Sequence, residues 1–209
     1  MFNKEKVYLG IAPIGWCNDD MPELGAENTF RQTVSEMALA GFTGTEIGNK
    51  YPTDPGELKR ELDLRGMRVA SRWFSSFLLT KPYEEVEAEF LKELDFLAAV
   101  GANRINVSEQ SYSIQGQVDT PVLGDAKHVM TDAEWDTFCE GLNKLGKAAK
   151  ERGFKLCFHH HMGTVVQTAE ETDRMLANTD PAYVWLCYDT GHFTFAGESP
   201  LTMLEKYAD

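Results

Sequence analysis

An α/β fold with a parallel sheet, of the (β/α)8 TIM-barrel type, is what this sequence of 209 residues predicts. Three observations carry the prediction. Short β-rich runs alternate with longer amphipathic runs along the whole chain, the rhythm of repeated strand–helix–strand units. Four helical runs end in a glycine just before the next strand, at Gly41, Gly66, Gly101 and Gly153, where a left-handed residue closes a helix. Polar residues crowd the C-terminal end of nearly every strand, and no strand leads into the glycine-rich phosphate turn of dinucleotide-binding sheets. A closed parallel barrel gathers such ends around one pocket, whereas an open sheet concentrates them at a switch point.

Six strands are expected: 7–16 (VYLGIAPIGW), 44–48 (GTEIG), 67–75 (MRVASRWFS), 103–109 (NRINVSE), 155–161 (KLCFHHH) and 183–191 (YVWLCYDTG). Each is rich in β-branched or aromatic residues and bounded by Gly, Pro, Asn or Asp. Helices are expected over 29–40, 55–65, 83–100, 132–152 and 169–177, with a last one in SPLTMLEKYAD. In the third, Val86, Phe90, Leu94, Leu97 and Val100 recur at three- and four-residue steps, which places them on one buried face. Thr131 with Glu134, and Thr168 with Glu171, form capping boxes. The expectation is therefore a single domain, 1–209, holding the N-terminal six βα units of a barrel that needs eight and is C-terminally incomplete; typical barrels run to about 250 residues.

Composition narrows the function. Thirty-three acidic against twenty basic residues give a formal charge of −13, which argues against a grip on phosphate backbones, so no nucleic acid is expected. No run approaches the roughly twenty apolar residues of a membrane span, and the N-terminal run is too short and interrupted for a secretion signal. Cys17, Cys139, Cys157 and Cys187 show no paired spacing and read as reduced thiols. A cytoplasmic location is the resulting expectation.

Three of the five histidines stand side by side in KLCFHHHMGT, and VWLCYDTGHF follows about thirty residues later. On a strand, alternate side chains share a face, so His159 and His161 point together and His160 points oppositely. Asp189, ending the next strand, can bring a carboxylate to the same cavity. Neutral imidazoles with an ionised carboxylate suit Mn²⁺, Co²⁺, Fe²⁺ or Zn²⁺ and leave positions open for a substrate oxygen. His160 is expected to pack against a helix or bond outward, and its replacement by Ala to affect metal binding only barely; His128 is expected to be exposed. Residues 110–130 form a connection far longer than the usual two to six residues. Its polar groups suit a ring bearing hydroxyls and its glycines suit a lid; a contact between subunits of a homo-oligomer is the competing use.

The blocks GIAPIGWCNDDMPELG, GTEIGNKYP, SRWFSS and FHHHMGT…YDTGH together resemble the inosose dehydratases of inositol catabolism, within the xylose-isomerase-like barrel superfamily. The resemblance implies a metal-dependent carbon–oxygen lyase that takes 2-keto-myo-inositol, a polyhydroxylated cyclic ketone, to a trihydroxycyclohexane dione. It implies a divalent metal, Mn²⁺ or Co²⁺ by preference, and the family's activity is associated with glutathione. The fifth-strand ligand matches His159, the sixth-strand ligand matches Asp189, and His192 follows as a metal or substrate contact. Ligands from seventh and eighth strands have no counterpart in the sequence. The chemistry needs a base and an acid, for which Glu46, Lys50, His161 and His192 are the catalytic candidates. Trp16, Asn18, Asp19, Trp73, Glu109 and Gln110 are the substrate-binding candidates. An epimerase or isomerase on the same barrel, and a non-catalytic binding protein, are the alternative readings.

Overall fold

The computed structural model describes residues 7–208. Six parallel strands form one sheet in chain order, β1 (Gly10–Ile11), β2 (Gly44–Ile47), β3 (Arg68–Ser76), β4 (Arg104–Glu109), β5 (Lys155–Phe158) and β6 (Val184–Leu186). The helices are α1 (Phe30–Leu39), α2 (Pro55–Asp63), α3 (Tyr83–Ala99), α4 (Asp132–Glu151), α5 (Ala169–Ala177), α6 (Thr190–Phe195) and α7 (Pro200–Tyr207). Each strand pairs with its sequence neighbour, as right-handed βα repeats require.

The helices form where the local signals put them. Thr131 and Thr168 each make both halves of a capping box with Glu134 and Glu171. Val86, Phe90, Leu94 and Leu97 are buried on α3, and Phe138, Leu142, Leu145 and Ala149 on α4. Each large side chain among these contributes about 1.5–3 kcal/mol by leaving water. Gly41, Gly66, Gly101 and Gly153 all take positive φ.

Three expected strands are much shorter than predicted, β1, β5 (which ends at Phe158) and β6. β1 keeps two residues of 7–16 because Pro13, which lacks an N–H, opens a 3-10 turn over Pro13–Gly15; the Pro13 carbonyl then accepts from the N–H groups of Trp16 and Cys17. β6 stops at Leu186, and the residues after it turn into α6, a helix the sequence reading did not foresee. Between β2 and β3 the register slips: Thr45 faces Val69, but Glu46 faces Ser71. This bulge leaves Ala70 unpaired and brings the Ser71 hydroxyl to Glu46, donating to Oε1 at 3.1 Å.

The described chain forms two compact units. One reaches Trp73 and includes Glu93–Arg104; the other comprises Phe74–Lys92 and the chain from Ile105 on. None of the four cysteines is in a disulfide, and burial pushes the Cys139 thiol up to about 11. Among the described residues no helix is long and apolar enough to cross a membrane.

Candidate metal and active site

β5 ends at Phe158, so the three histidines follow the strand instead of closing it. The ladder continues for one more bond, from His159 N to Val107 O at 2.7 Å. The chain then turns: His161 N donates to Val166 O, and Thr164 N to His161 O. Beyond the end of the neighbouring strand β6, Asp189 caps α6, its Oδ1 accepting from His192 N at 2.7 Å. Its other oxygen, Oδ2, lies 3.3 Å from His159 Nε2. One carboxylate thus starts the helix with one oxygen and meets an imidazole with the other.

The α6 helix carries His192 back over the same spot. One donor atom each from His159, Asp189 and His192 lie within 4.8 Å of one another. The His161 ring is 4.0 Å from that of His192 and 5.5 Å from that of His159. Its Nδ1 sits 2.9 Å from the Met162 carbonyl, so that nitrogen carries the hydrogen and Nε2 is the basic one. Burial and the neighbouring His192 lower His161 to about 4, and burial likewise lowers His192. The hydrogen bond from His159 holds the Asp189 carboxyl well below the usual carboxylate range. Two imidazoles and an ionised carboxylate, converging in a half-buried place, are a donor set that fits a borderline divalent cation.

Sequence reasoning did not foresee how the long connection is held. Tyr112, at φ 59°, packs its ring against that of His128, with centroids 4.3 Å apart and planes tilted by 35°. His128 is not simply exposed, since its Nε2 lies 3.0 Å from Glu134 Oε1. Lys127 pairs with Glu171 at 2.5 Å, and Ile114 N donates to Gly163 O. Gly163 itself, at φ 76°, leaves room for Gln115, whose backbone nitrogen would stand 3.0 Å from an added Cβ. The 110–130 segment is therefore strapped to the turn that follows the histidines. Its partners lie far off in sequence, and only the polar character of the segment signalled them.

Glu109 is 0% exposed, and its acceptors are taken by protein donors: Ser76 Oγ at 2.6 Å, Leu78 N at 3.1 Å and Ser111 N at 3.1 Å. Burial raises its pKa. In this structure Glu109, expected as a substrate contact, clamps the ends of β3 and β4 together through these bonds. Gln110 donates from Nε2 to Ser108 Oγ.

The remaining candidates belong to the other unit. Lys50, expected as a proton-transfer group, gives its ammonium hydrogens to the carbonyls of Gly25, Ala26 and Asn28 at 2.8–3.0 Å. That geometry makes it a staple of the 17–28 loop. Asn18 Oδ1 accepts from the backbone of Asp20 and Met21, an Asx turn, and Asp19 accepts from Asn49 N. Partial burial raises the Asp19 pKa. Trp16 donates to Glu36 Oε2 at 2.6 Å, and Trp73 is half-buried on β3. Glu46, bonded by Ser71, is half-buried on β2.

Parallel strands in chain order and an imidazole–carboxylate set at their C-terminal ends define a barrel of the xylose isomerase-like class, and residues 34–209 match the family of that description. The chain is 59% identical to the inosose dehydratase of Clostridium tetani over 207 residues, 99% of this chain and 69% of that protein. It is 57% identical to the inosose dehydratase of Geobacillus thermodenitrificans over 207 residues, 99% of this chain and 69% of that protein. It belongs to the inosose dehydratase family and is an enzyme of the hydro-lyase type. Two solved structures share the fold at 13% identity. One is a probable 3-DHS dehydratase from Bacillus anthracis, with a TM-score of 0.71 over 97% of this chain and 70% of that one. The other is the IOLI protein with a bound zinc atom, with a TM-score of 0.68 over 92% and 66%.

Proposed function

We propose that this chain removes water from 2-keto-myo-inositol, giving a trihydroxycyclohexane dione, with a divalent cation held by His159, Asp189 and His192. The observation that carries the reading is the convergence of those three donor atoms within 4.8 Å in a relative of inosose dehydratases. When bound, a divalent cation supplies Lewis acidity toward the ketone oxygen, where negative charge develops.

Elimination next to a ketone takes a proton from the carbon α to the carbonyl and expels the β-hydroxyl. His161 is the base of this proposal: with its Nδ1 hydrogen committed to Met162 O, Nε2 has the lone pair. The electron pair left by the C–H bond becomes the new double bond, and the C–O bond breaks. The proton gained by His161 is the one the departing hydroxyl needs to leave as water, so one imidazole serves both ends. His161 lies beside the donor set, ring to ring with His192. The half-buried surroundings limit competing water.

Purified protein incubated with 2-keto-myo-inositol and Mn²⁺ or Co²⁺ should develop the ultraviolet absorption of the dione. His161→Ala should lower kcat by about 10²–10⁴-fold with cation uptake retained. An unchanged spectrum alongside isomerised ketone would instead mark an epimerase.

A further inference from the structure

His160 is the one member of the histidine run that this chemistry leaves idle. Its side chain is 0% exposed, and neither Nδ1 nor Nε2 has a hydrogen-bond partner among the described residues. A buried imidazole without partners loses its hydration and recovers nothing through its nitrogens. What it does have is a face. The ring stacks on Phe193, with centroids 3.9 Å apart and planes inclined by 30°.

Both residues of this pair are placed for leverage. His160 stands between His159 and His161 in sequence, so moving its ring moves the segment that carries both. Phe193 follows His192 in α6 and is fully buried. It is in turn stacked on Tyr207 of α7 at 5.8 Å and packed with Ala169 and Met203. The His160–Phe193 contact therefore joins the turn after β5 to the helix that begins at Asp189. The donor atoms themselves come from these two pieces of chain: His159 from the first, Asp189 and His192 from the second. The ring centroids of His159 and His160 are 6.2 Å apart, and those of His160 and His192 are 6.1 Å apart. His160 is thus set back from the donor cluster.

We infer that His160 is a positioning residue: an aromatic spacer whose face, not its nitrogens, fixes the approach of α6 to the 159–161 segment and so the spacing of the cation donors. This inference rests on reading His159, Asp189 and His192 as a cation site. It runs against the sequence expectation that removing His160 barely affects metal binding, because the helix it packs against is the one bearing His192.

The test compares His160→Phe and His160→Ala with the wild type, using thermal unfolding of the metal-free chain and calorimetric titration with Mn²⁺ and Co²⁺. The Phe variant, which keeps the stack and discards the nitrogens, should hold its midpoint and bind within about threefold of wild type. The Ala variant should unfold at lower temperature and bind about 10–100-fold more weakly, the range seen when groups supporting a metal's ligands are removed. A Phe variant as weak as Ala would overturn the inference by showing that a nitrogen acts. An Ala variant binding like wild type would overturn it as well. If wild type takes up neither cation, the cation reading fails separately. The unfolding midpoints then decide: Phe above Ala supports the spacer, and equal midpoints overturn it.

Discussion

Asp189 shows how much chemistry one side chain can concentrate. Its Oδ1 caps α6 and its Oδ2 faces His159, so charge and cap can be separated by mutation. Asn is as good an N-cap as Asp. Asp189→Asn should therefore keep α6 while weakening cation binding by more than about 100-fold, since losing a ligand exceeds losing a supporting group. Asp189→Ala should lose the cap too, at about 1 kcal/mol of further stability. Calorimetric titration and denaturant unfolding would read the two effects apart; equal unfolding of both variants would deny the cap its role. The sequence marked this residue as a candidate ligand, but not as a cap, because the helix it starts was not expected. By contrast, Lys50 and Glu109 gave no sign of their true surroundings. Their partners include backbone groups of Gly25, Ala26 and Asn28, and of Leu78 and Ser111, and a sequence does not show where a distant carbonyl or amide will come to rest.

Elements whose cause is local were legible, and those held by distant packing were not. α4 and α5 begin where Thr131 and Thr168 predict, since a capping box is complete within four residues. α6 escaped notice because Thr190–Phe195 is six residues long and rich in aromatic and β-branched side chains; its support is the buried Phe193 cluster. Within α4, two glycines lie five residues apart and should respond oppositely to alanine. An added Cβ at Gly146 would stand 2.6 Å from the backbone oxygen of Tyr183, which cannot give way without moving the start of β6. Gly146→Ala should cost about 1–3 kcal/mol through overpacking. At Gly141 the nearest atom is Leu78 Cδ2 at 2.8 Å, the end of a side chain that can rotate. Gly141→Ala should be neutral or gain up to about 1 kcal/mol of helix propensity. Denaturant midpoints of the two variants would check this, and equal losses would refute the distinction.

At the scale of the whole molecule, cation binding and folding are linked. A ligand that binds only the folded state at 100 times its Kd adds about 2.7 kcal/mol of stability. For a chain of this size that corresponds to a rise in Tm of about 5–10 °C. Mn²⁺ or Co²⁺ should produce the rise, a chelator should abolish it, and Asp189→Asn should not show it; a Tm indifferent to all three would count against the cation site. The fold class was readable at this scale because the βα rhythm repeats along the whole chain, and a repeated signal survives errors in any one strand. The strand order has one more consequence. Because β1 to β6 lie in the sheet in the order in which they occur in the sequence, each strand after β1 finds one of its neighbours already made when it leaves the ribosome. Assembly can then proceed by accretion during synthesis, each new strand adding to the edge left by the one before it.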